Sequence, residues 1–364
     1  MPSFSNPKQL LRRGRWLLLV LAAAVLSACS GSRVGSSSWP GLTVSDTTAY
    51  VAFDQSVYAV DLASGQERWQ FTPPEQDKGA TFYAPPALTD SGTLIVSSYT
   101  GVVYAVKANT GDMIWRRQLS SSRLVGGPAV AGDLALVPSA DHNLYALKLD
   151  SGADVWSFTT DEPLWSEPLV KGDKVYLSGL DHKVYALDLT SGSQLWSTEL
   201  KGAMADKPSS LDGLILTGTF ANQLVAMNAD NGRVAWTLQT DGWVWGDPAV
   251  QDGVAYFGDV DGTFYAVDAN GHVVWQSHLD GDVTASPAAE KGIVYFATAD
   301  GQVFARQAAD NTPAWQQPLD GQLLTDPVVT GDSLLVASLD GKNLLTAFDA
   351  TSGAVRWSYQ PAGK

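Results

Sequence analysis

A tryptophan returns along this chain at a nearly constant interval, and that period constrains the fold more than any other feature. Trp69, Trp115, Trp156, Trp196, Trp236, Trp275, Trp315 and Trp357 lie 46, 41, 40, 40, 39, 40 and 42 residues apart. Eight of the 13 Trp residues fall on this lattice. The clearest copy, VYALDLTSGSQLWSTEL at 184–200, is a hydrophobic strand, a turn containing Gly, and a Trp four residues after the Gly. A fixed period near 40 that spans most of a chain is the mark of a repeat architecture and outranks any local reading of helix or strand.

A second landmark keeps the same period. Pro40, Pro86, Pro128, Pro168, Pro208, Pro248, Pro287 and Pro327 each enter a short apolar strand, where a missing N–H costs no ladder bond. Between Pro and Trp each unit reads as four short strands. In the fourth copy these are 168–170, 175–179, 184–187 and 195–200, with a turn at 180–183. Four antiparallel strands per unit, written eight times, predict an all-β, eight-bladed β-propeller of four-stranded antiparallel blades. The first and last units look like the others, whereas an open solenoid needs atypical capping repeats. The ring is therefore expected to close, as one domain and one chain.

The turn chemistry agrees with this pattern. Asp261-Gly262, Asp300-Gly301 and Asp340-Gly341 occupy the central hairpin turn, and Asp-Gly suits a type I′ hairpin. These Asp residues therefore need no metal to explain them, and no carboxylate-dense calcium loop accompanies them. His142 and His182 fall in the same turn, while His272 and His278 flank Trp275, which is not a metal-ligand spacing. The Gly before each docking Trp is present in seven copies, and Asn311 replaces it in the seventh unit. Asn tolerates positive φ better than most residues, so the turn is expected to survive.

Before the first unit the composition changes. Lys8, Arg12, Arg13 and Arg15 precede an apolar run at 16–26, which ends in Leu26-Ser27-Ala28-Cys29. The run has the length of a signal-peptide core and is short for a membrane span. Cys29 is the only Cys, so no intrachain disulfide can form. Residues 29–38 are rich in Ser and Gly and read as a flexible tether. The expected organisation is a signal peptide at 1–28, a tether at 29–38 and a propeller at 39–364. The 364-residue chain carries a formal charge of −15, and −19 once residues 1–28 are set aside. Such a surface repels nucleic acid and anionic headgroups, so neither is expected as a direct ligand.

The phrase VYALDLTSG with Trp196 four residues on resembles the tryptophan-docking repeat of quinoprotein (PQQ) dehydrogenases and their non-catalytic relatives, over residues 40–357. LSAC resembles a bacterial lipobox, which implies lipidation of Cys29; Ser30 after it implies release to an outer membrane if the host has one. Together they are similar to the BamB-type lipoproteins of outer-membrane β-barrel assembly. The resemblance implies an extracytoplasmic, lipid-anchored protein-interaction scaffold with an envelope protein as partner. A module holding a sugar, peptide or cofactor in its central channel is the alternative. The enzyme branch uses PQQ, calcium, a catalytic Asp and often a disulfide between adjacent Cys residues. The single Cys and the uniform units point away from PQQ as a cofactor and from an enzyme. BamB-like rings close with an exchanged N-terminal strand, whereas here the units run from a first strand to a last one and no exchange is expected.

No catalytic constellation stands out. The irregular positions are the informative ones. Tyr83, Trp165 and Trp245 stand three residues before their Pro, with Trp243 beside them and Leu324 in the same register. Glu167, Asp247 and Asp326 stand directly before Pro, and Asp206 two before. In a propeller these loops enter the innermost strands, so a channel mouth with aromatic anchors and an acidic rim is the expected binding site. The competing reading is that the aromatics only pack over the blade tops and the acids only solvate the loops.

Overall fold

The structure, a computed structural model, describes residues 38–362. The expected signal peptide, Cys29 and nearly all of the tether lie outside the described residues. The chain from Ser38 onward folds as one unit of eight four-stranded antiparallel sheets, each in simple meander order. Blades 1 to 8 span 41–71, 87–118, 129–159, 169–199, 209–239, 249–278, 288–318 and 328–359. Among the described residues the one helical element is a single 3-10 turn, Glu75–Asp77. None is a helix long and apolar enough to cross a membrane.

Strand boundaries follow the sequence pattern closely. In blade 4 the strands are Leu169–Lys171, Lys174–Ser178, Lys183–Asp188 and Gln194–Glu199, each within about two residues of expectation at either end. The two middle strands bury nearly every side chain because both faces are covered by neighbouring blades. The outermost strand alternates, one face against its neighbour and one toward solvent. The core is accordingly divided into eight clusters, each shared by two adjacent blades.

The docking Trp joins each blade to the next. Trp69, Trp115, Trp156, Trp196, Trp236, Trp275 and Trp315 donate their indole N–H to backbone oxygens of Ala108, Leu149, Leu189, Ala229, Ala269, Ala308 and Ala350. The repeat Gly has a role beyond its own turn: it seats the Trp of the preceding blade. A Cβ on Gly192 would lie 2.5 Å from the Trp156 ring, and on Gly353 2.6 Å from Trp315. Asn311, the exception, holds φ at 62°, so the left-handed turn is kept without Gly. Each Trp also pairs with an Ala on the third strand, from Ala59 with Trp69 to Ala347 with Trp357. A register shift follows each of these Ala residues, and such bulges increase local twist.

The hairpin turns differ from expectation. At Asp261-Gly262 and Asp300-Gly301 only the Gly has positive φ, 87° and 97°. The Gly N–H bonds back to the carbonyl oxygens of Asp259 and Thr298. This is a type I arrangement with Gly at its last position, not type I′, which needs positive φ at both central residues. His142 and His182 hold the same left-handed position, with φ 74° and 68°.

The ring closes without an exchanged strand. Blade 1 is built only from 41–71 and blade 8 only from 328–359. Their innermost strands touch, their apolar faces form one cluster, and Thr325 Oγ1 donates to the Pro40 carbonyl.

Candidate functional site

The repeat places one residue per blade directly before the strand that lines the central channel. In order these are Trp39, Pro85, Gly127, Glu167, Lys207, Asp247, Ser286 and Asp326. Neutral residues occupy the first three positions, and charge gathers in blades 4, 5, 6 and 8. Lys207 Nζ donates to Glu167 Oε1 at 2.5 Å. The Asp247 N–H donates to Ser286 Oγ at 2.9 Å, and the Ser286 N–H donates to Asp326 Oδ1 at 2.6 Å.

These groups keep some exposed surface on the channel side, yet protein walls surround them. Asp326 is exposed by surface area and half-open partners flank it, but the walls remove most of its hydration. Desolvation, then the charges of Asp247, Asp326 and Glu167, pushes the Asp206 carboxyl well above the usual carboxylate range. Desolvation and Asp326 do the same to Asp247. Asp326 is pushed up to about 6, first by desolvation, with the Ser286 hydrogen bonds opposing. Desolvation works against the charge on Lys207, but Glu167 and the other carboxylates hold its pKa above the usual value. The structure thus brings Glu167, Asp206, Asp247 and Asp326 into one mutually repelling group with Lys207 as its cation.

The loops that carry these groups are anchored by a buried apolar residue four before each Pro: Phe82, Leu124, Leu164, Met204, Val244, Val283 and Leu323, all at most 2% exposed. With that side chain turned inward, its neighbours turn outward. Trp243 and Trp245 flank buried Val244 and sandwich Phe220, with ring centroids 5.4 and 5.0 Å from it. Tyr83 packs edge-on to Trp39 at 5.7 Å and lies 4.8 Å from Tyr99. The Arg123 guanidinium stands 5.0 Å from the Tyr99 ring centre. Trp165 stands separately, beside its buried neighbour Leu164. Tyr83, Trp165, Trp243 and Trp245 are all half-buried, between the packed and the open reading.

The expected mouth residues therefore divide into an acidic channel group and two aromatic clusters in blades 1–3 and 5–6. Lys207 and Ser286 were missed, although both occupy the column directly before Pro and were readable there. Phe220, Tyr99 and Trp39 carry no sequence signal for this role, because only the closed ring sets them against Trp243, Trp245 and Tyr83.

The four His residues do not converge. His272 Nδ1 lies 3.2 Å from Asp268 on the surface, and His278 Nδ1 lies 3.3 Å from Thr263 Oγ1. Among the described residues, no group of three or more His, Cys, Asp or Glu is arranged to hold a metal ion. The calcium that supports PQQ in the enzyme branch thus finds no matching donor set among the described residues.

A family model described as "Outer membrane protein assembly factor BamB" matches residues 53–207, 180–282 and 261–364. The outer membrane protein assembly factor BamB of Shewanella oneidensis is 25% identical over 182 residues, covering 39% of this chain and 46% of that protein. The chain spans less than half the length of the curated relatives it matches. Among solved structures, BamB from Moraxella catarrhalis superposes with a TM-score of 0.71 at 19% identity, covering 84% of this chain and 92% of that one. Quinohemoprotein alcohol dehydrogenase from Comamonas testosteroni gives 0.71 at 13% identity, covering 90% and 76%. At these identities both structures speak to the fold alone.

Proposed function

The chain belongs to the family of the outer membrane protein assembly factor BamB, and from that premise we propose that it is a non-catalytic, lipid-anchored scaffold that binds a protein partner at the cell envelope. The observation that carries this reading is the set of half-buried aromatics on the channel-mouth loops, Tyr83, Trp165, Trp243 and Trp245. Half-buried Trp and Tyr on rigid, inwardly anchored loops supply large contact area at low entropic cost. The scaffold is held at the envelope through Cys29 and the tether at 29–38.

The test is to replace Trp165 and Trp245 by Ala, confirm the fold by circular dichroism, and compare co-purifying envelope proteins. Loss of a partner with the fold intact supports the reading. An unchanged set of partners with the fold intact removes it. Cys29→Ser is expected to abolish incorporation of a labelled fatty acid and to release the protein from membranes.

The acidic channel group favours one second reading, a small cationic ligand held by Asp206, Asp247 and Asp326. Titration with a polyamine, followed by thermal denaturation, separates it from the first. A rise in melting temperature that Asp247→Asn abolishes supports the channel ligand.

A further inference from the structure

The first interval of the Trp lattice is 46 residues where the others are 39 to 42. The extra length lies in the connection from blade 1 to blade 2, which runs from Thr72 to Pro86. This loop turns at Glu75–Asp77 and fills the outer groove between those blades. Its Asp77 carboxylate, only 4% exposed, meets Arg116 through Nη2 at 2.6 Å and Nε at 2.8 Å. The Tyr104 hydroxyl donates to the same carboxylate at 2.9 Å. The chain thus places an acidic side chain of its own in one interblade groove.

The matching groove between blades 6 and 7 has no such loop. The connection there covers only 279–287. A groove of about 450 Å³ stays open, lined by His278, Gln302, Phe304, Arg306 and Gln316, with Asp280 and Asp300. The ladders set the equivalence. Ala105 pairs with Trp115 and Ala305 with Trp315, so Phe304 matches Tyr104, Gln316 matches Arg116, and Arg306 matches Val106.

Arg306 breaks an apolar column. Its counterparts Val60, Val106, Leu147, Leu187, Met227, Val267 and Phe348 are at most 1% exposed. Among the described residues Arg306 makes no ion pair, and the one hydrogen bond from its side chain is a long one, Nη1 to the Asn311 carbonyl at 3.5 Å. Its guanidinium lies 5.8 Å from the Phe304 ring centre, and burial pushes its pKa down. The groove acids do not serve it. Asp300 lies in the hairpin turn, six residues before Arg306 and outside its strand, and no carboxylate contributes to the shift on that guanidinium. Asp280 precedes Gly281, which abuts Asp300. The guanidinium is partly buried and opens onto the groove, and a carboxylate is the group that matches its fork of donors.

We propose that the groove between blades 6 and 7 receives an acidic side chain, an Asp or Glu carried on a loop of a partner protein, with Arg306 as its counter-ion. The inference rests on the scaffold reading above and names a second contact of that scaffold. The occupant is a loop because this chain already seats one in the equivalent groove, with its carboxylate on a guanidinium of the neighbouring blade.

The experiment uses the full chain and a capped synthetic peptide of residues 72–80, with Glu75→Gln so that one acidic side chain remains. A second peptide adds Asp77→Asn. The Arg306 Nε–H signal is followed by NMR during titration. The expected result is a saturable shift with the Asp77 peptide, weakened about tenfold by Asp77→Asn and about tenfold by Arg306→Gln in the protein. Arg306→Leu, the residue type of Leu147 and Leu187, keeps the fold and also loses binding. Equal binding of the two peptides, or no shift of Arg306 at millimolar peptide, overturns the proposal. That outcome leaves the scaffold reading standing if Trp165→Ala and Trp245→Ala still cost a partner. Failure of the Trp variants alone removes the scaffold reading instead.

Discussion

Trp357 donates its indole N–H to the backbone oxygen of Leu62 at 2.8 Å, across 295 residues of sequence. It is the same bond that joins every other pair of neighbouring blades, made here between the last blade and the first. Beside it the Tyr359 hydroxyl donates to the Glu67 carboxylate. Ring closure is thus an ordinary blade interface with a long loop in sequence, and its cost in chain entropy is offset by a full apolar cluster.

The seat beneath Trp357 can be isolated from the turn that forms it. Gly65 and Gly172 both have positive φ, 71° and 62°, but a Cβ on Gly65 meets Trp357 at 2.7 Å and one on Gly172 meets nothing. Ala at either position carries a left-handed cost of about 1–2 kcal/mol. Gly65→Ala is expected to lose a further ~1–3 kcal/mol from overpacking. Urea denaturation of the two variants measures the difference, and equal midpoints would show that the Gly serves its own turn alone.

Asp77 and Arg116 form a pair whose acid is nearly inaccessible. Arg116→Ala leaves that carboxylate buried with only Tyr104, and a loss of about 3 kcal/mol is expected. The double change with Asp77→Ala should cost less than the two single losses added together. A double-mutant cycle in urea checks this, and additivity would mean that the loop packs without help from the charge pair.

Stability should fall as pH rises through the titration of the channel acids. Asp326, at about 6, and Asp206 and Asp247, both raised, hold protons in the folded state. The unfolded chain has released those protons above about pH 4. Between these values folding takes up protons, so raising pH disfavours it. Asp61, held down to about 2 chiefly by Arg68, has the opposite sign and contributes stability that is lost as pH falls below about 4. Urea midpoints between pH 5 and 8 should therefore decline, and Asp206→Asn should flatten the decline. A midpoint that climbs with pH across this range contradicts the desolvated channel group.

His182 occupies a left-handed turn position at φ 68° that Gly262 and Gly301 fill in later blades. His182→Gly is expected to raise stability by about 0.5–1 kcal/mol, because relief of backbone strain exceeds the added entropy of the unfolded chain. Calorimetry compares it with His272→Gly, on the surface beside Asp268, where no such gain is expected.

The repeat made the blade count and the strand positions legible from residues alone, whereas the way the ring closes is read only from the sheet order. Trp and Gly could be read as partners within a unit because they are four residues apart. Their real partnership crosses to the next unit, about 40 residues away, where local spacing carries no information. The hairpin was misjudged for a related reason. Asp-Gly admits more than one turn, and the bond from the Gly262 N–H to the Asp259 carbonyl selects among them.

The sequence by itself determined how many blades there are, what each is made of and where its loops enter the channel. Those properties are periodic, and a periodic chain repeats the same local solution at every turn. The closed ring decided what happens between units. It gathered Glu167, Asp206, Asp247 and Asp326 around Lys207, stacked Phe220 between Trp243 and Trp245, and left Arg306 facing an open groove where Asp77 fills another. Charge and packing act through distances of a few ångströms, and in this fold those distances are set by the meeting of blades far apart along the chain.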